Sequence, residues 1–342
     1  MELKRHSQIM ATLLILAGVN FAAAPSYAQT IYKADTGAPG GSAHSMMVTY
    51  AKMAKRSGVN IQINASKTLT VSTYQAGKGK IQFYTGVPFF YKAMKKRIAM
   101  YKKKKDAPEV AKKIRYIFSY PAGLTHFLVY DNSGIRSFND FKGKKIFLGP
   151  PAGGATWEAK VQIKAGSGYE AGKDYQGVIL NWGEGIQAMK DKKIDVLVRP
   201  IQLGSALIEQ FGLTNTFRLI TLPEKALKSK AIGELLNEPD YMLTEVQPNS
   251  YRGQKNTKPV TQLGYYLFVG TQSMVPEDVV YKATKSFWEN LKEVQATAVF
   301  MEDLNKNTAF SAVNGPLHIG AYKYYKEAGF NIPAVAVPPE AK

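Results

Sequence analysis

The 342-residue chain contains no cysteine and only four histidines. The missing cysteine excludes disulfides, thiolate metal sites, a cysteine nucleophile and a lipid-modified amino-terminal cysteine. Three histidines follow residue 28, namely His44, His126 and His318, and none has a metal-ligand spacing with another histidine, cysteine or glutamate. We therefore expect neither a metal site nor another cofactor.

Long apolar runs are also scarce, and the one near the start of the chain is short. Lys4 and Arg5 precede an apolar run at 9–19, and residues 26–28 place small side chains at both positions of a cleavage site. The pattern predicts a secretory signal peptide cleaved after Ala28, because a membrane anchor needs ~20 apolar residues. No later run is long enough to span, so we expect a periplasmic protein with no stable membrane insertion.

Acidic residues are few, 26 against 45 lysines and arginines, for a net charge of +19. Such a surplus attracts anions, anionic lipids or nucleic acid, and export argues against nucleic acid. The densest basic run lies at 92–105. Such a block is typical of solvated surface, and the alternatives are a docking surface for a membrane partner or a lipid-binding, adhesive surface.

Signatures of catalysis are missing as well. There is no Gly-x-Ser-x-Gly nucleophile elbow. The glycine segment at 168–174 is one residue short of a phosphate loop and ends in Asp174, where a serine or threonine would hold magnesium. We expect a binding protein rather than an enzyme, with a periplasmic enzyme on the same fold as the contrasting alternative.

A repeated pattern of strands and helices is present. The first copy has strands at 30–35, 59–63 and 81–85, helices at 42–56 and 69–76, and a glycine loop at 36–41. The second has strands at 145–149, 178–181 and 194–198, helices at 155–165 and 183–192, and a glycine loop at 150–154. The pattern predicts an α/β fold of two doubly wound lobes joined by a hinge.

The connections between the copies complete this prediction. Apolar strands within 115–130 and at 263–270 are suited to cross between lobes, and 276–299 is typical of one long helix. We expect lobe 1 to begin with residues 29–130, lobe 2 to span 131–255, and 256–342 to return to lobe 1 and add the C-terminal helices.

The two glycine loops predict an anion site. A strand that leads through a glycine loop into a helix directs several backbone N–H groups, and the positive end of the helix dipole, toward one point. Loops that only connect strand to helix are the alternative. If the lobes face each other, the two loops hold an organic anion in the cleft between them.

Individual side chains refine this site. Arg199 is the first choice for a carboxylate clamp, against a surface ion pair. Ser42 and Thr156 are hydroxyl donors to the ligand or helix caps, and Trp157 and Trp182 are pocket walls or core. The remaining candidates are Gly40, Gly41, His44, Thr85, Gly153, Gly154, Ala155 and Asn181. Aromatic residues 89–91 and His318 are interpreted as structural.

Five segments carry a resemblance to a known family. The runs SGIRSFNDFKGKK at 133–145 and LGPPAGG at 148–154 resemble segments of solute-binding proteins. The runs GAPGGS at 37–42, YRGQ at 251–254 and LHIGAYKYYKEAG at 317–329 are similar to those of the TAXI class of TRAP-transporter binding subunits.

The resemblance implies a type II periplasmic binding protein that closes on a carboxylate such as glutamate or 2-oxoglutarate. It also implies docking on TRAP-type membrane subunits. The sequence departs from the family pattern at 44–46, at 65–71 and at Arg199. A binding subunit of an ABC importer for sulfonates or aromatic carboxylates is the alternative.

Overall fold

One ten-stranded sheet organises the chain. The computed structural model describes residues 30–342, so the predicted signal peptide and its cleavage site lie outside the described residues. The strands are β1 Ile31–Asp35, β2 Asn60–Asn64, β3 Phe83–Gly86, β4 Ile114–Tyr130, β5 Lys145–Gly149, β6 Gln176–Ile179, β7 Val196–Ile201, β8 Phe217–Leu219, β9 Tyr241–Val246 and β10 Val260–Gln272. Their order is β2-β1-β3-β10-β4-β7-β5-β6, with β8 paired to β4 and β9 to β10.

The sheet contains two groups of parallel strands. β1 pairs in parallel with β2 and β3, and β5 pairs in parallel with β6 and β7. Between the groups lie β4 and β10, which are antiparallel to each other and to their neighbours β7 and β3. β4 pairs with β10 through its first half and with β7 and β8 through its second half, so it crosses from one group to the other.

Helices connect the strands in the order predicted. In the described residues they are α1 Ser42–Arg56, α2 Leu69–Gly77, α3 Pro88–Lys96, α4 Ala107–Ala111, α5 Gly154–Ser167, α6 Trp182–Lys190, α7 Ala206–Gly212, α8 Glu224–Leu227, α9 Lys230–Leu236, α10 Glu277–Glu289, α11 Leu291–Gln295 and α12 Ile319–Glu327. The two strand groups and the crossing strands confirm the predicted α/β fold class. The lobe boundaries at residues 130 and 255 stay a prediction.

One predicted N-cap and one predicted helix end were wrong. The N-cap of α1 is Gly41, and Ser42 is the first helical residue, buried and without a capping hydrogen bond. The predicted helix at 276–299 breaks at Asn290, where the backbone leaves helical geometry. The Asn290 side chain donates to the carbonyl oxygen of Ser286 at 2.8 Å. Such local bonds let asparagine compete with the helical backbone.

Two family-like segments have structural roles. Tyr251 donates or accepts a hydrogen bond at 2.7 Å to Nε2 of the fully buried His126, and the Gln254 side chain accepts from the Tyr251 backbone N–H. Gly253 has φ +78°, and a Cβ there would lie 2.4 Å from the Asn215 carbonyl oxygen. The YRGQ run therefore fixes the end of β9 against β4.

His318 has the structural role that the sequence indicated. Its Nδ1 accepts from the backbone N–H of Gly320 at 3.2 Å, which caps α12, and its Nε2 lies 3.0 Å from the carbonyl oxygen of Val275. Burial lowers the pKa of His318 to about 4. The native state therefore holds this imidazole neutral.

The titration of His318 makes stability fall in acid. Between about pH 6.5, the pKa of histidine in the unfolded state, and the lower native pKa, His318 is protonated in the unfolded chain but stays neutral in the native state. We expect the free energy of unfolding to drop by about 2 to 3 kcal/mol more in the parent than in His318→Asn between pH 7 and pH 4. Urea denaturation across this range measures the difference, and parallel curves would contradict it.

Candidate functional site

A cavity of about 120 Å³ lies where both predicted glycine loops end. A single buried water needs only ~15 Å³, so the cavity is large enough for a small molecule. It is lined by Gly37, Ala38, Gly41, Ser42, Ala43, Lys67, Thr68, Leu69, Val87, Phe89, Phe90, Pro150, Gly153, Gly154, Ala155, Trp157, Glu158, Trp182, Arg199, Pro200, Tyr241, Tyr265 and Leu267. Both strand groups and the crossing strand β10 contribute to this lining.

Arg199 supplies the buried positive charge of the cavity. It lies on β7, opposite His126 of β4, and is 4% exposed. Its guanidinium carbon lies 4.4 Å from the centre of the Trp182 ring, and Nη1 donates to the Trp182 carbonyl oxygen at 3.5 Å. The Nε atom has no partner. A guanidinium offers five N–H donors, so most of the hydrogen-bonding capacity of Arg199 remains available.

Arg115 shows what an ordinary buried arginine does in the same chain. It is also 4% exposed, but it pairs with Glu340 at 2.6 Å and donates to two backbone carbonyl oxygens. Within residues 30–342, Arg199 forms no ion pair, so the alternative of a surface ion pair does not describe it. Burial lowers the pKa of Arg199 to about 10, which leaves it charged at neutral pH.

Aromatic rings form part of the cavity wall. Phe89 and Trp157 stack with ring centres 5.1 Å apart and planes 6° from parallel. The Trp182 ring lies against the guanidinium of Arg199. These rings give the cavity flat apolar surfaces that suit a flat apolar group beside them.

A carboxyl group also borders the cavity. Glu158 of α5 is 7% exposed, and Oε1 accepts from Thr125 at 2.6 Å and from Gln162 at 2.8 Å. Tyr241 donates to Oε2 at 3.3 Å. Burial raises the pKa of Glu158 to about 7, although these three hydrogen bonds lower it.

The second glycine loop is shaped by close packing. Gly149 ends β5 with φ +120°, and a Cβ there would lie 2.9 Å from Oγ1 of Thr156 and 3.2 Å from the Trp182 ring. A Cβ on Gly154 would lie 2.5 Å from the ring of Phe90. Glycine at these positions therefore lets the loop, the two rings and the start of α5 approach one another.

The structure brings most of the candidate residues to the cavity. From the first loop these are Gly41 and Ser42, and from the second Gly153, Gly154, Ala155 and Trp157; Trp182 and Arg199 follow from the second strand group.

Five candidates lie outside the lining. The Thr156 hydroxyl donates to the carbonyl oxygen of Pro150 at 2.7 Å. The Thr85 hydroxyl donates to Oγ1 of Thr36 at 3.4 Å, and the Gly40 carbonyl oxygen accepts from the Gln202 side chain at 3.0 Å. His44 has an unpartnered Nδ1, and burial lowers its pKa. Asn181 caps α6 by accepting from the backbone N–H of Glu184 at 2.9 Å.

Sequence reasoning missed other lining residues. Glu158 follows Trp157 directly, so its position one residue further along the same helix was the available signal. Tyr241 and Tyr265 come from β9 and β10, far from either glycine loop in sequence, and no local pattern marked them. Phe89 and Phe90 were interpreted as core; both are buried and both also line the cavity.

The basic run at 92–105 is mostly solvent-facing. Lys92 is the exception, since it pairs with Glu238. Lys95 and Lys104 lie 5.3 Å from the ring centres of Tyr91 and Tyr74. These contacts place two of the charges on aromatic faces and leave the neighbouring lysines exposed.

The described residues contain no group of three histidine, aspartate or glutamate side chains placed to hold a metal ion. No helix within residues 30–342 combines the length and the apolar character that crossing a bilayer requires.

A family model, that of the NMT1-like family, matches residues 36–329. The chain belongs to the NMT1-like family. The match covers β2 to β10, both glycine loops and every residue that lines the cavity, so the site described above is part of the family's domain.

Solved structures similar to this NMT1-like protein include three binding proteins. One is the aliphatic sulphonate binding protein SsuA of Escherichia coli, at 12% identity and TM-score 0.42, covering 80% of this chain and 75% of that one. A second is the periplasmic ectoine-binding protein of the TeaABC TRAP transporter of Halomonas elongata, at 14% identity and TM-score 0.45, covering 91% of this chain and 88% of that one. A third is an ABC uptake transporter substrate binding protein of Streptococcus pneumoniae with bound histidine, at 13% identity and TM-score 0.46, covering 78% of this chain and 90% of that one. At such identities none assigns a solute to this chain.

Asn181 offers a test of which candidates serve stability alone. We expect Asn181→Ala to lower the free energy of unfolding by about 1 kcal/mol, because it removes the cap of α6. Solute affinity should not change, since the side chain lies outside the cavity lining. Urea denaturation and calorimetric titration measure the two effects, and a loss of affinity at unchanged stability would contradict the assignment.

Proposed function

We propose that this protein captures a small organic anion in the cavity and delivers it, unchanged, to a membrane importer. The observation that carries the proposal is the unpaired guanidinium of Arg199. Removing one partner of a buried ion pair costs several kcal/mol because a charge is left uncompensated. An anionic ligand supplies the compensating charge that no described residue supplies.

The cavity chemistry supports binding rather than turnover. Its polar side chains are the arginine, one carboxyl, hydroxyl groups and Lys67 at the exposed rim. Acyl or phosphoryl transfer needs an activated nucleophile, and no described histidine lines the cavity to activate one. Return of the solute unchanged after release would distinguish the two classes.

Contacts across the cavity support a closed, ligand-holding arrangement. Thr70 of α2 donates to the carbonyl oxygen of Ala152 in the second loop at 2.8 Å. Gln202, just after β7, donates to the carbonyl oxygen of Gly40 in the first loop at 3.0 Å. Because each bond joins one strand group to the other, we infer that separation of the groups would break both and open the cavity.

Arg199→Met tests the clamp with two readouts. We expect the variant to lose binding of every anion that the parent binds. Without ligand, its free energy of unfolding should be equal or higher, by up to a few kcal/mol, because an apolar isostere removes a buried charge. Protein unfolded and refolded to strip carried ligand is compared by urea denaturation and by thermal shift with carboxylates and sulfonates.

A matched control is Arg218→Met. Arg218 pairs with Asp131 and is not in the cavity lining, so this variant should keep anion binding while losing some stability. A hundredfold excess of ligand over its Kd adds ~2.7 kcal/mol to the parent, a shift of several degrees. If Arg199→Met keeps that shift, Arg199 is not the clamp.

The membrane partner is the second part of the proposal. The GAPGGS, YRGQ and LHIGAYKYYKEAG runs favour TRAP-type membrane subunits as the partner of this protein in the periplasm, and an ABC importer is the alternative with the same binding fold. The exposed lysines of the 92–105 run offer a charged surface for docking.

Energy coupling distinguishes the two importers. With a TRAP-type partner, uptake of the bound solute should stop when the ion gradients are collapsed and should continue when ATP is depleted with the gradients held. An ABC importer gives the opposite result. Uptake of radiolabelled solute into spheroplasts supplied with the purified protein measures the difference, with Arg199→Met as the protein that binds nothing.

A further inference from the structure

The cavity offers one buried positive charge to a ligand. Arg199 is that charge, and the other lining cation, Lys67, is exposed at the rim. Two-ended acids held in protein sites need a cation or several donors at each end, because each carboxylate must replace its hydration. Among the described lining residues, only Arg199 supplies a buried cation.

The rest of the lining is largely apolar and flat. The apolar residues that matter here are Leu69, Phe89, Phe90, Trp157, Trp182 and Leu267. Aromatic faces stabilise a flat apolar body by stacking and give nothing to a second charge. The site is therefore complementary to an acid with one charged head.

Glu158 adds a repulsive element to the same cavity. Oε1 already accepts two hydrogen bonds, and the Tyr241 hydroxyl occupies Oε2, so the carboxyl is held in place by three partners. It forms no ion pair within the described residues. When Glu158 is ionised, a ligand carboxylate brought next to it would meet a like charge, which opposes binding of that carboxylate.

Resting on the proposed function, we propose that the cavity selects organic acids with a single anionic group and a flat apolar body, and that Glu158 is the residue that rejects a second anionic group. The class comprises aromatic monocarboxylates and the matching sulfonates, which share one charged head. Specificity of this kind needs a repulsive contact as well as an attractive one.

The titratable groups around Glu158 decide when the repulsion is strongest. Tyr241 and Asp240 face it from the β9 segment, and Tyr265, whose pKa is raised, from β10. Burial and, to a smaller extent, the charge of Glu158 raise the pKa of Asp240 to about 7, although the hydrogen bond from the Phe89 backbone N–H and the charge of Lys92 lower it. Arg199 stays charged throughout. The two carboxyls therefore titrate as a coupled pair near neutral pH, and ionised Glu158 repels an anion most strongly above it.

A panel with one aromatic body tests the selection. Ligand-stripped protein is titrated calorimetrically at pH 6.0 and 8.5 with phenylacetate, phenylmethanesulfonate and phenylsuccinate, and with glutamate and 2-oxoglutarate. We expect phenylacetate or phenylmethanesulfonate to bind at least tenfold more tightly than phenylsuccinate. Equal or tighter binding of phenylsuccinate would overturn the proposal.

Glu158→Gln identifies the residue responsible. Glutamine keeps an acceptor for Thr125 and Gln162 and cannot ionise. We expect it to narrow the preference for phenylacetate over phenylsuccinate at pH 8.5 by fivefold or more. The contrary result is a preference for phenylacetate over phenylsuccinate that is unchanged in Glu158→Gln while phenylacetate binding at pH 6.0 equals that of the parent. That result would assign the selection to another residue and overturn the role of Glu158.

The pH profile provides an independent readout. Phenylacetate affinity should fall between pH 6.0 and 8.5, with an upper limit of about thirtyfold if only neutral Glu158 permits binding. Glu158→Gln should flatten this fall. Asp240→Asn is the matched control, because Asp240 accepts from the Phe89 backbone N–H and does not line the cavity. Asp240→Asn should keep most of the fall in phenylacetate affinity between pH 6.0 and 8.5. The role of Glu158 would be refuted if affinity did not change with pH in Asp240→Asn but fell as in the parent in Glu158→Gln.

Failure of this inference is distinguishable from failure of the proposed function. If glutamate or 2-oxoglutarate binds tightly, and Arg199→Met abolishes that binding, the protein captures organic anions but does not select single charges. If no anion of the panel binds the parent, both the selection and the organic-anion assignment are wrong.

Discussion

A buried guanidinium without an ionic partner is the constraint on which the site depends. Arg199 is as buried as Arg115, yet only Arg115 has a carboxylate beside it among the described residues. Desolvating a charge without pairing it opposes folding, so Arg199 lowers the stability of the empty protein. The arrangement is favourable once an anion enters, and the free energy released by that pairing is available to hold the cavity closed.

The crossing strands make this arrangement possible. β4 pairs with β10 along one half and with β7 along the other, which places Arg199 of β7 opposite His126. His126 is held by Gln262 and Tyr251, and burial lowers its pKa to about 4, so the strand behind the arginine carries no competing charge at neutral pH. The neutral polar network therefore supports the guanidinium without neutralising it.

Much of the fold was predictable because its signals are local. The alternation of short apolar strands, glycine loops and helices located β1 to β3 and β5 to β7 to within a few residues, and the two crossing strands followed from their apolar runs. The break at Asn290 was missed because the apolar pattern continues through it, while a side-chain hydrogen bond ends the helix. The capping role of Asn181 also depends on a residue only three positions away, but we predicted a ligand-binding role for this side chain.

What the sequence by itself determined is the α/β architecture, the two glycine loops, and the choice of Arg199 and the two tryptophans as candidate site residues. These follow from residue type and spacing along the chain. Only the tertiary structure decided that Arg199 lacks a partner, that Phe89 stacks on Trp157, and that Glu158, Tyr241 and Tyr265 complete the lining. The physical reason is that pairing, stacking and desolvation depend on distances between segments up to a hundred or more residues apart, which no local pattern encodes.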